Sequence, residues 1–161
     1  MKKALFMIAL MLGSVTAFAQ KMDKNEVKQL QNFLSQPAEK GGTNATALKI
    51  TDLKSPATWE GVTVANGRVT AIEWKDKHLA GDLDLSGFTA LTKVDVSRNA
   101  LTSLSVAGDA ALTELNASRN KLSTLTLKDN SALRDIKVYR NRLTDIDITG
   151  TPLLTNLNCS N

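Results

Sequence analysis

Cysteine and histidine are almost missing from this 161-residue chain, which has one of each, Cys159 and His78. A lone cysteine cannot close an internal disulfide, so stability has to come from packing. It is also no nucleophile, because a catalytic thiol needs a base beside it and His78 lies far away along the chain. No Ser/His/Asp arrangement, metal-spaced His/Cys cluster or phosphate-binding glycine loop occurs, which argues against an enzyme and against a bound cofactor. Asp82 and Asp84 in GDLDLSG are two carboxylates in a turn, too few for a calcium loop. A long apolar run is absent too: the one from Ala4 to Leu12 is short of the ~20 residues that span a bilayer. Charge of one sign is scarce, with 20 Lys and Arg against 16 Asp and Glu.

The short apolar run has a different meaning. Lys2 and Lys3 precede it and Ala17-Phe18-Ala19 follows it, the three parts of a cleavable secretory signal peptide over residues 1–19. Cleavage after Ala19 takes the net charge from +4 to +2, and nothing then points to nucleic acid. The expected product is exported to the periplasm, the cell surface or the medium, with no transmembrane segment.

What the chain has in abundance is repetition. From Leu91 it reads LTKVDVSRNALTSLSVAGDAA, LTELNASRNKLSTLTLKDNSA, LRDIKVYRNRLTDIDITGTPL and LTNLNCSN, a period of 21 residues. Leu91, Leu112, Leu133 and Leu154 open the units, and Asn99, Asn120 and Asn141 recur in step. L-x-x-L-x-L-x-x-N-x-L at a fixed period is the pattern of a leucine-rich repeat solenoid, with short parallel strands stacked on the concave side of a right-handed superhelix. Inward columns follow: the four leucines; Ile72, Val94, Leu115, Ile136 and Leu157; and Trp74, Val96, Ala117, Val138 and Cys159. Leu104, Leu125, Ile146, Val106, Leu127 and Ile148 close the far side. The asparagines leave the strand where their amides can satisfy backbone groups of adjacent coils, a structural role.

Upstream, residues 20–61 form an N-terminal cap region. Asp23, with Glu26 three residues on, begins a short helix that Pro37 ends, and Val27, Leu30, Phe33 and Leu34 fall on one face. The Asn44-Ala45-Thr46 sequon carries no weight. Repeats occupy 62–161. Asn66-Gly67 between alternating apolar residues predicts a hairpin with a type I′ turn, its inner face lined by Val62, Val64, Val69 and Ile72. An irregular first coil covers 69–90, where Ile72 and Val94 are 22 apart and the extra residue falls in LAGDLDLSG.

The repeats resemble the internalin-like, 21-residue class of bacterial secreted leucine-rich repeat proteins, over Val69 to Asn161. That resemblance implies a core position for Cys159, since a cysteine or aliphatic residue often fills its column. WEGVTVANGRVTAIEW resembles the entry region of secreted leucine-rich repeat proteins, with Val64 where that frame has a cysteine. No disulfide cap is therefore implied, and the helix from Asp23 takes its place.

Candidate binding residues come from the outward columns. Arg98, Arg119 and Arg140 stack one per coil, with Asp76 ahead of them; like charges ~4.8 Å apart repel, and a bound acidic glycan or acidic protein loop would relieve this. The alternative is a solvated face on which long side chains splay. Tyr139 stands in the column Lys75, Ser97, Ser118, Tyr139, Ser160 beside Arg140, and aromatic–arginine neighbours are enriched at binding hot spots. Lys93, Glu114 and Asp135 read as plain soluble surface. The fourth regular unit is incomplete, and an uncovered edge at Leu154, Leu157 and Cys159 suggests a truncated array, pairing with a second molecule, or fraying. The expected function is a secreted or cell-surface, non-enzymatic recognition module that binds a protein or glycan through its concave face; the alternatives are a self-assembling envelope protein or a fragment of a longer array with no independent function.

Overall fold

The computed structural model describes residues 21–160, so the expected signal peptide over 1–19 lies outside the described residues. Helix α1 runs from Lys24 to Leu34, and its start is capped as the sequence predicts: the Asp23 carboxylate accepts from the backbone N–H of Asn25 at 2.9 Å and of Glu26 at 3.1 Å. Glu26 does not close a reciprocal capping box. It turns inward, buried, and accepts from Arg68 Nε at 2.7 Å and from the Val69 N–H at 2.9 Å. Leu30, Phe33 and Leu34 are buried and Phe33 stacks on Trp74 at 5.9 Å between ring centroids, while Val27 is only half-buried. The one-turn helix α2 (Asn44–Ala47) begins with the sequon asparagine. Asn44 is fully buried, donating to the carbonyls of Phe33 and Ala80 and accepting from the Ala80 N–H.

Strands β1 (Val62–Ala65) and β2 (Arg68–Glu73) form the predicted hairpin, with Asn66 and Gly67 at φ of 52° and 70°, both positive as a type I′ turn requires. From β2 the chain winds into a parallel β-solenoid of about four turns. Three-residue strands β4 (Lys93–Asp95), β6 (Glu114–Asn116), β8 (Asp135–Lys137) and β9 (Asn156–Asn158) stack in parallel, giving a six-stranded sheet ordered β1-β2-β4-β6-β8-β9. Its register places Ile72, Val94, Leu115, Ile136 and Leu157 side by side, the column read from the sequence. A second parallel sheet, not anticipated, lies on the far side: β3 (Ala80–Asp84), β5 (Ala100–Ser105) and β7 (Thr124–Thr126), with Leu83, Leu104 and Leu125 in register. Its register slips between Gly81 and Asp82, inside the segment where the period of 22 had placed the extra residue.

The two sheets enclose the apolar columns. Leu91, Leu112, Leu133, Trp74, Val96, Ala117 and Val138 are all buried, and each buried aliphatic side chain contributes roughly 1.5–3 kcal/mol relative to exposure. The columns weaken toward β9. Leu154 is half-buried, Leu157 is 38% exposed, and Cys159, expected in the core, is exposed. Its column neighbours up to Val138 are each covered by a following coil; among the described residues none follows Cys159. The packing that buries a repeat residue comes from both neighbours, so column membership alone does not bury it.

Two ladders of buried polar side chains run through the core. In the first, Asn120 accepts from the Leu101 N–H at 3.0 Å and donates to the carbonyls of Val96 at 3.0 Å and Ala117 at 3.1 Å. Asn99 and Asn141 do the same one coil either side, bonding Leu79 N–H with Val96 carbonyl, and Leu122 N–H with Val138 carbonyl. The second ladder, Asp109, Asn130 and Thr151, sits across the core and also repeats every 21 residues. Asn130 donates to the carbonyls of Val106 at 2.7 Å and Asp109 at 3.2 Å. Asp109 has no accessible surface and neither carboxyl oxygen has a hydrogen-bond partner. Burial pushes its pKa up to about 8; the backbone N–H groups of Phe88 and Gly87 lower it, and the carboxylates of Glu26 and Asp84 raise it further. Those two N–H groups already donate to Leu85 and Ala107. Asp109 is therefore a neutral carboxylic acid at physiological pH.

Candidate functional site

The outward columns of the six-stranded sheet are Ala71, Lys93, Glu114, Asp135, Asn156 and Glu73, Asp95, Asn116, Lys137, Asn158. They line a shallow depression of about 140 Å³. The face carries four carboxylates, Glu73, Asp95, Glu114 and Asp135, and two lysines: Lys93 meets Glu73 at 2.6 Å and Lys137 meets Asp135 at 3.3 Å, while Asn116 and Asn156 donate to Asp95 and Asp135. The Glu73 carboxylate also holds the Lys93 ammonium above its ordinary pKa. With carboxylates outnumbering lysines, this face repels an acidic ligand.

The arginines are not on this face. Each strand ends three residues earlier, at Asp95, Asn116 and Lys137, and Arg98, Arg119 and Arg140 occupy the turn that follows. There the backbone is left-handed, with φ of 57°, 58° and 54°, and Asp76 has the same conformation at 57° in the first coil. The turns stack by a continuous hydrogen-bond ladder: Asp76 N–H to Ser97 carbonyl, Arg98 to Ser118, Arg119 to Tyr139 and Arg140 to Ser160, all between 2.8 and 3.0 Å. Equal φ and equal stacking launch the four side chains from equivalent points along one rim.

Ser97 and Ser118, read from the sequence as outward, are buried. The preceding Asp95 and Asn116 draw them in, accepting from each serine's N–H and hydroxyl, at 2.6 Å for Ser97 Oγ and 2.8 Å for Ser118 Oγ. Aspartate or asparagine two residues before a serine is a local turn signal that reads directly from sequence. In the third coil that pair is Lys137 and Tyr139, so the turn carries a half-buried phenol instead. The guanidinium of Arg119 lies over the Tyr139 ring, 5.9 Å from its centroid. The Ser118 hydroxyl and the Arg119 guanidinium hold the Tyr139 phenol below its ordinary pKa, with the more distant Arg98 charge adding to this.

Among the described residues none of Arg98, Arg119 and Arg140 has a carboxylate within 4.0 Å. Arg119 Nε is buried with no hydrogen-bond partner. The structure thus brings Arg119 and Tyr139 together, keeps Arg98 and Arg140 on the same rim, and leaves Arg119 Nε without a hydrogen-bond partner.

Asp82 accepts from the Thr102 hydroxyl at 2.7 Å and Asp84 from the Ser86 N–H at 2.9 Å. No group of three or more potential metal ligands occurs among the described residues. No described helix is long and apolar enough to cross a membrane.

The molecule is of the parallel β-solenoid class, built on a repeat of about 21 residues. Comparison with protein-family models, curated protein sequences and solved structures returns no match to the chain.

Proposed function

We propose that this is an exported, non-enzymatic recognition module of the leucine-rich repeat type, which captures an acidic ligand along the rim formed by Arg98, Arg119 and Arg140. The observation that carries this reading is the contrast between two neighbouring surfaces. The sheet face carries four carboxylates against two lysines, whereas the rim holds three in-register cations with no carboxylate within 4.0 Å among the described residues. Like charges repel at this spacing, and a bound anion removes the repulsion while accepting charge-assisted hydrogen bonds. Tyr139 fixes Arg119 in place, so less side-chain freedom is lost on binding.

The repeat spacing and the buried asparagine ladder support the internalin-like reading. Helix α1 and the β1–β2 hairpin serve as the cap that closes the first coil. Export rests on the leader-like residues 1–19.

Arg98, Arg119 and Arg140 changed together to asparagine, a residue that tolerates left-handed backbone, should abolish retention on immobilised anionic polymers such as polygalacturonate or polyglutamate. The thermal midpoint should stay within a few degrees of the parent. Retention equal to that of the parent would remove the rim as the site.

A second reading is favoured by Leu153, Leu157 and Cys159, exposed beside β9, whose outer edge is unpaired among the described residues. It is association between copies through that edge. Light scattering decides: a dimer or larger species that dissociates on Leu157→Glu supports it, and a monomer at high micromolar concentration rejects it.

A further inference from the structure

The rim has a length as well as a charge, and its length selects a ligand. We propose, resting on the anion-binding reading above, that the rim binds a linear acidic polysaccharide with one carboxylate on each sugar, laid parallel to the solenoid axis. It reads three consecutive charges, one per coil.

Three observations lead there. The first is the repeat distance: the rim residues are joined by a parallel-strand ladder, so successive guanidinium stems start ~4.8 Å apart. An extended peptide shows side chains on one face only every ~6.6 Å. A helical peptide presents them ~4.5 Å apart at i, i+3 or ~6 Å apart at i, i+4 along its axis, with each successive side chain rotated around the helix out of a straight row. Phosphates along one strand of a duplex advance only ~3.4 Å each along the helix axis and wind around it, so they form no straight row. A polyuronate carries one carboxylate on every pyranose ring of an extended chain, and long arginine side chains can take carboxylates from either side of it.

The second observation is that the array is bounded. Asp76 has the same φ, at 57°, and the same place in the ladder, but the opposite charge. A fourth uronate extending over the first coil would meet a carboxylate. The third is the aromatic surface: Tyr139 is half-buried next to Arg119, giving a flat apolar patch on which a sugar ring can rest beside its carboxylate.

Calorimetric titration of the full chain with galacturonate and its oligomers of one to six sugars tests this. Affinity should rise about tenfold with each sugar up to three and then level off, as one charge-assisted contact is added each time. Asp76→Arg should move the plateau to four sugars, with the thermal midpoint checked to exclude misfolding. A rise that continues smoothly through six sugars in the parent, or a plateau that ignores Asp76→Arg, overturns the one-charge-per-coil inference while leaving the rim as an anion site. Equal or tighter binding of a hexaglutamate peptide overturns it in favour of an acidic protein ligand. Binding of all oligomers by the triple asparagine variant as by the parent defeats both this inference and the reading beneath it.

Discussion

Asp109→Asn is expected to stabilise the solenoid and to remove most of its loss of stability between mildly acidic and mildly alkaline pH. The carboxyl is buried without a hydrogen-bond partner, and its pKa is raised from 3.8 to about 8 by that burial. In the unfolded chain it loses its proton near 3.8, and in the folded chain it keeps that proton to about 8. Below the lower value both states are protonated and the group is indifferent to pH. Between the two values the folded state holds a proton that the unfolded state lacks, so stability falls by about 1.4 kcal/mol for each pH unit. Above the upper value the loss is complete and constant. The charged groups that act most on Asp109 are the carboxylates of Glu26 and Asp84, which raise its pKa further, and the nearby Arg68 guanidinium is held by Glu26 at 2.7 Å.

Asparagine has a ready place at this site, because the next coil already shows it. Asn130 donates to the carbonyls of Val106 and Asp109; one coil earlier, the carbonyls at the same positions are Leu85 and Phe88. Their backbone surroundings repeat as well, since Phe88 N–H to Leu85 and Leu91 N–H to Phe88 are matched by Asp109 N–H to Val106 and Leu112 N–H to Asp109. An amide at 109 would gain two hydrogen bonds and carry no charge. Urea denaturation of the parent and the variant from pH 4 to 9 gives the answer. The parent's midpoint should fall with rising pH and the variant's should stay nearly level and higher throughout the neutral range. Parallel profiles would show that Asp109 is not the buried acid.

The opposite outcome is expected for Asn120→Leu, which should destabilise the fold by about 2–6 kcal/mol, a large part of the ~5–15 kcal/mol that holds a domain of this size. Leucine has the same branched four-atom skeleton and is more apolar, so a core held only by hydrophobic burial would need to give little more than the room for two methyl groups. The backbone would not. Leu101 N–H would be left without its side-chain partner inside the protein, away from water, while the carbonyls of Val96 and Ala117 would each lose one of two donors and keep those of Asn99 and Asn141. Each orphaned group costs about 1–3 kcal/mol. Thermal unfolding followed by circular dichroism would show the loss, and a midpoint unchanged by the substitution would place Asn120 outside the ladder. Asn141 should be less sensitive, because it is half-buried and water can replace some of what its amide supplies.

How much of this was legible beforehand depended on whether identity or only geometry repeats. Leucine and asparagine recur at fixed positions, so the apolar columns and the Asn99–Asn120–Asn141 ladder could be read off the period. The slip near Gly81 was visible too, because Ile72 and Val94 are one residue too far apart. The second polar ladder repeats with the same period but changes residue at each step, from Asp109 to Asn130 to Thr151. A search for recurring letters passes over it. The strand limits were the other gap: three-residue strands end before the arginines, and no propensity marks the left-handed turn at a long charged residue. The second sheet was hidden for a related reason, since Leu83, Leu104 and Leu125 read equally well as closing residues of a loop. Cys159 shows a different limit, because its burial depends on what stacks above it and not on its own coil.

The rim arginines also stand where glycine would be the easier residue. Left-handed backbone costs a side-chain-bearing residue about 1–2 kcal/mol, and Asp76, Arg98, Arg119 and Arg140 all adopt it. Each coil therefore retains a small conformational penalty at one fixed point, and that point lies outside the core. Side chains there can be exchanged without repacking a single leucine, so the same scaffold could carry a different sequence of charges along its rim. In that sense the solenoid behaves as a ruled support, with its divisions set by the hydrogen-bond ladder and its markings written separately by the residues at 76, 98, 119 and 140.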